Sequence, residues 1–112
     1  MADDGKAVLL KTAADIGKYY AFIGQALRAL YDPAAAAQLP MDLLNAQLDQ
    51  LRASLAPVLD TNHVVKQNFA EIDNRVARIR QEKAVDEARR FGAEIQERAK
   101  VVSDLVALFR RL

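Results

Sequence analysis

The sequence predicts an all-α protein, and three observations predict it. Apolar residues recur at three- and four-residue spacing in three separate stretches. Proline occurs only at 33, 40 and 57, between or near the ends of those stretches. From Thr61 to Leu112 there is no proline, and the only glycine is Gly92. The expected arrangement is a helical hairpin plus one long C-terminal helix in a single domain over residues 1–112. The alternative is an up-down four-helix bundle with a turn near residues 81–86.

Helix 1 is expected over about residues 5–31, with Asp3 or Asp4 able to cap its first turn. Its seam is Leu9, Ala13, Ile16, Tyr20, Ile23, Leu27 and Leu30, spaced 4-3-4-3-4-3. Val8, Phe22 and Ala26 widen that seam, which suits a globular bundle. Gly17, Ala21 and Gly24 form a flank of small residues, where another helix can approach closely. Neighbouring helical residues point about 100° apart, so Tyr20 is assigned to the seam and Tyr19 to its half-buried edge.

Asp32-Pro33 stops helix 1, because the residue before proline is pushed out of α geometry. The same pair can open a short turn through Ala34–Ala37, with Asp at the cap and Pro at the first helical position. Leu39-Pro40 interrupts again, so 32–40 reads as a structured connector. Helix 2 follows over about 41–56, with Met41, Leu44, Leu48, Leu51, Leu55 and Val58 as its seam. Pro57 removes one backbone donor, which predicts a helix end or kink and a tight turn at 56–62.

The last stretch, about 61–110, holds two seams out of register. Val65, Phe69, Ile72, Val76 and Ile79 make the first. Ala88, Phe91, Ile95, Arg98, Val102, Leu105, Phe109 and Leu112 make the second, with Arg98 as the polar intruder. Between them, Arg78–Arg90 is mostly charged and contains no helix breaker. The missing breaker favours one continuous helix, roughly 70 Å long at ~1.5 Å per residue. Such a rod overshoots a domain of this size, so its second half would need a partner. The shifted seam is the argument for a turn.

Sixteen basic and fifteen acidic residues give a net charge of +1. A bulk polyanion binder ordinarily carries a larger excess. There is no cysteine, which removes disulfides and thiolate metal sites. The start has neither a basic nor an apolar leader region, and no apolar run approaches the ~20 residues of a membrane span. A soluble, cytoplasmic protein is therefore expected.

Catalysis is not expected. His63, the only histidine, stands beside the expected turn without a second metal-ligand partner at helical spacing. The four glycines, at 5, 17, 24 and 92, are isolated, so no phosphate loop is formed. No cofactor and no metal are expected. The general format, a helical hairpin followed by a long helix, is shared in shape alone with export chaperones, phage assembly factors and small bacterial adaptors.

The functional expectation is a non-enzymatic helical interaction or assembly module. It would self-associate, as a dimer, through Phe91, Ile95, Val102, Leu105, Phe109 and Leu112, and bind a protein partner. The alternative is a nucleic-acid accessory protein using Arg75, Arg78, Arg80, Arg89 and Arg90 on the long helix. Interleaved Glu82, Asp86 and Glu87 favour a solvated face over that alternative.

Overall fold

A computed structural model describes residues 2–38 and 41–111. It contains five helices: α1 (Ala2–Arg28), α2 (Pro33–Gln38), α3 (Met41–Thr61), α4 (His63–Glu82) and α5 (Val85–Arg110). No strand occurs among the described residues, so the protein is all-α. The four long helices form a bundle whose circuit runs α1, α3, α4, α5 and back to α1. Ser54 meets Asp15 and Arg52 meets Tyr19, so α3 runs antiparallel to α1. Val102 lies beside Gly17 and Gln96 beside Gly24, so α5 is antiparallel to α1 as well.

The single long C-terminal helix is not found. The chain reverses at Lys83–Ala84, inside the window of the alternative turn. Lys83 adopts the left-handed conformation at φ 51°, ψ 43°, the one non-glycine with positive φ among the described residues. Its N–H donates to the Arg80 carbonyl, and the Ala84 N–H donates to that of Ile79 at 3.0 Å. This is a Schellman motif, with Ile79 and Ala84 supplying its apolar contact in the core. The left-handed geometry costs a residue with a Cβ about 1–2 kcal/mol. Burial of Ala88, Phe91 and Ile95 against the rest of the bundle outweighs that cost. The chain measures 48 × 28 × 23 Å, far from a 70 Å rod.

Three further differences have physical causes. α3 runs through Pro57 to Thr61, so the helix does not end near residue 56. Pro57 and Ala53 are both exposed, so the carbonyl that loses its donor lies on the water side. The turn shrinks to Asn62, whose side chain accepts from the Val64 and Val65 N–H groups. Second, Tyr19 is fully buried, not an edge residue. Because α1 touches α3 on one side and α5 on the other, it buries a wider arc than one seam. Third, the inward face of α5 is Ala88, Phe91, Ile95, Ala99, Val102 and Val106. Residues 88 and 106 are five turns apart at ~3.6 residues per turn, a straight-helix period instead of a heptad. Arg98 therefore never enters the core and pairs with Glu94 at 2.9 Å on the surface.

Asp32 accepts from the Ala34 N–H at 3.1 Å and opens α2 at Pro33. Leu39, Pro40 and Leu112 lie outside the described residues.

Candidate functional site

α1 and α5 have 27 and 26 residues, against 21 and 20 for α3 and α4. At ~1.5 Å per residue the longer pair exceeds the shorter by about 9 Å. α4 and α5 are level at their connecting turn, so the excess falls at the opposite end of the bundle. There the first turns of α1 and the last turns of α5 have no α4 beside them. The core seam continues into this end and becomes an apolar groove of about 520 Å³. Leu9, Leu10, Ala13 and Ile16 line it from α1, and Val102, Leu105, Val106 and Phe109 from α5. Among the described residues, Lys6 is the one charged residue lining it. Leu9 is 72% exposed, Leu105 47% and Phe109 49%, high values for side chains on a core seam.

The structure divides the sequence-predicted interface. Phe91 and Ile95 lie inside the bundle, where they cannot meet a partner while it stays closed. Val102 is half-buried against Gly17. Leu105 and Phe109 are brought together at the groove, and Leu112 falls outside the described residues. Sequence reasoning missed the α1 half of the groove, having assigned Leu9 to the core. The signal was present in the lengths: the seams Leu9–Leu30 and Ala88–Leu112 are both longer than the Val65–Ile79 seam that closes the bundle beside them.

The basic run is largely engaged within the fold. Arg75 reaches Glu87 at 3.4 Å and stacks over Phe91 at 4.0 Å. Arg78 pairs with Glu82 at 3.1 Å and with Glu87. The hydrogen bond from Arg78 holds the Glu87 carboxyl below the usual carboxylate range and raises Arg78 in turn. Arg89 lies over the Tyr31 ring at 5.0 Å. Arg80 is half-buried and Arg90 exposed. The surface expected to follow phosphates is thus divided among a clasp across the α4–α5 turn, an aromatic stack and two remaining arginines.

A second polar cluster lies between α1, α3 and α4. The Tyr19 hydroxyl donates to Asp73, while Arg52 donates to Asp73 at 2.8 Å and to the Tyr19 oxygen at 3.3 Å. Tyr19 also stacks on Phe69, with ring centres 4.4 Å apart and planes within 5°. Burial, then the Asp73 carboxylate, pushes the Tyr19 phenol well above its ordinary value of 10.0. Burial pulls Arg52 down, but its bonds to Asp73 and Tyr19 prevail and raise it. The cluster satisfies its own hydrogen bonds, which suits a structural tie between three helices.

His63 is exposed at the first position of α4, immediately after the Asn62 cap. Among the described residues, no group of three His, Cys, Asp or Glu side chains is placed to hold a metal ion. None of the described helices is long and apolar enough to cross a membrane. No family model, curated protein or solved structure matches this chain.

Proposed function

We propose that the chain is a non-enzymatic helical association module that self-associates through the open end of the α1–α5 pair. The observation that carries this reading is the exposure of Leu9, Leu105 and Phe109 on a seam that is buried elsewhere in the bundle. An apolar surface of this kind is normally covered in a soluble protein. Fully burying a Leu or Phe side chain contributes about 1.5–3 kcal/mol. These three residues are still half to three quarters exposed, so a symmetric pair of copies that buried them fully would gain on the order of 5–10 kcal/mol before the association cost. An association cost of at least about 4 kcal/mol then leaves weak dimerisation, with a Kd of tens of micromolar at the tightest.

The test is solution mass by light scattering from tens of micromolar to roughly millimolar chain. A mass that rises with concentration, and stays monomeric in Leu105→Glu/Phe109→Glu, supports the reading. A monomer mass over the whole range, or a rise that the double variant leaves unchanged, overturns it.

A further inference from the structure

We propose that α5 exchanges between two copies of this chain: the Lys83–Ala84 turn straightens, α4 and α5 become one helix, and each α5 packs on the other copy's α1. This does not rest on the apolar groove.

The turn is built from residues that would continue a helix. Ala77–Arg90 contains no glycine and no proline, and it is rich in Ala, Arg, Glu, Lys and Gln, all good helix formers. Lys83 nonetheless takes the left-handed conformation, which every residue bearing a Cβ resists. At the start of α5, Ala84 makes no side-chain cap, so the helix gains no cap by beginning there. A short hinge under local strain is the kind of connection that opens into an exchange.

The packing of α5 permits the exchange. Its most extensive contact is with α1, and its contact with α4 is slight. A second copy presents the same α1 face, including the Gly17 and Gly24 approach. It also presents Arg75 and Arg78 to Glu87. The closed and exchanged forms therefore share their contacts outside the turn. Only the turn itself and the chain concentration decide between them. A straight α4–α5 helix of ~70 Å exceeds the 48 Å length of the closed chain, so it exists only where a second copy receives α5.

The experiment uses a cross-link that reports which chain α5 belongs to. A Cβ built on Gly17 lies 3.6 Å from the Val102 Cβ, within the range of a disulfide, and the chain has no cysteine of its own. Gly17→Cys/Val102→Cys is unfolded, refolded at roughly millimolar chain, separated by size, oxidised and run on a non-reducing denaturing gel. Exchange links two chains, giving a band of doubled mass from the dimer fraction. Docking through the groove alone links each chain to itself and gives only the single mass, whatever the column shows.

Lys83→Gly then tests the cause. Glycine relieves the closed turn and weakens the straight helix, so two chains together lower the dimer constant by on the order of a thousandfold. Doubled bands that disappear with Lys83→Gly support the exchange. Single bands only, or doubled bands that persist in Lys83→Gly, overturn it. Should the cysteine pair disturb folding, the same comparison is made without it. A refolded dimer fraction lost in Lys83→Gly and kept in Phe109→Glu supports exchange, and any other pattern refutes it.

Discussion

Replacing Gly24 by alanine sets two effects of similar size against each other at the α1–α5 contact. In a helix interior, alanine is favoured over glycine by about 1 kcal/mol. At Gly24, however, the added Cβ falls 2.3 Å from the Gln96 Nε2 and 2.8 Å from both its Cδ and Cγ. The end of a glutamine can swing away, but its Cγ cannot leave without a change of rotamer near the backbone. That change also breaks the Gln96 bond to the Ala21 carbonyl, 3.3 Å long and exposed, which contributes about 0.5–1 kcal/mol. A less favourable rotamer of the exposed Gln96 costs about 0.5–1.5 kcal/mol more, so against the ~1 kcal/mol gained Gly24→Ala is expected to destabilise the protein by up to about 1.5 kcal/mol net. Gln96→Ala removes the obstructing atoms. In that background Gly24→Ala should instead stabilise by up to about 1 kcal/mol, a coupling of about 2 kcal/mol. Urea unfolding followed by helical circular dichroism measures all four corners of the cycle. If Gly24→Ala alone stabilised by the full helix-propensity gain, with no coupling to Gln96, the close approach of α5 would be refuted.

The remaining expectations concern the core, the polar cluster and the clasp. Ile95→Ala should cost about 2–5 kcal/mol, whereas Phe109→Ala, at a half-exposed site, should cost far less; equal losses in urea midpoint would contradict the burial assigned to α5. Tyr19→Phe removes one donor to Asp73 but leaves Arg52 in place, so a loss of about 0.5–1.5 kcal/mol is expected. The phenol of Tyr19 is raised in the folded state. Its contribution is therefore complete below the unfolded value near 10.0 and declines as pH rises toward the higher folded value. Urea midpoints should fall above that pH, with a shallower slope in Tyr19→Phe; identical slopes would argue against the Asp73 contact. Glu87 is lowered, so its contribution is present above the usual carboxylate range and declines as the solution is acidified through the folded value. Glu87→Gln should flatten the acid side of the stability profile, and an unchanged profile would count against the Arg78 clasp.

Much of the secondary structure was legible because it rests on local rules. The three- and four-residue spacing marks the helices, and Asp32-Pro33 marks a stop and a restart through proline geometry and a carboxylate cap. The small flank at Gly17, Ala21 and Gly24 announced a close helix contact without saying which helix fills it. Half of the candidate site was legible too. Leu105 and Phe109 were on the expected apolar face, yet Phe91 and Ile95 on that same face went into the core. Periodicity reports that a face is apolar, not whether the covering helix reaches that far.

The amino-acid order by itself determined a helical chain with apolar seams and no Gly or Pro hinge after residue 62, apart from Gly92 within α5. Only the tertiary structure decided that α4 and α5 part at Lys83. Local preference there favours a continuous helix. The opposing term, burial of Ala88, Phe91 and Ile95 against the rest of the bundle, arises between residues far apart in the chain and is larger than the cost of one left-handed lysine. The same long-range burial placed Tyr19 inside, turned Arg98 outward, and left Leu9, Leu105 and Phe109 at the end that α4 does not reach.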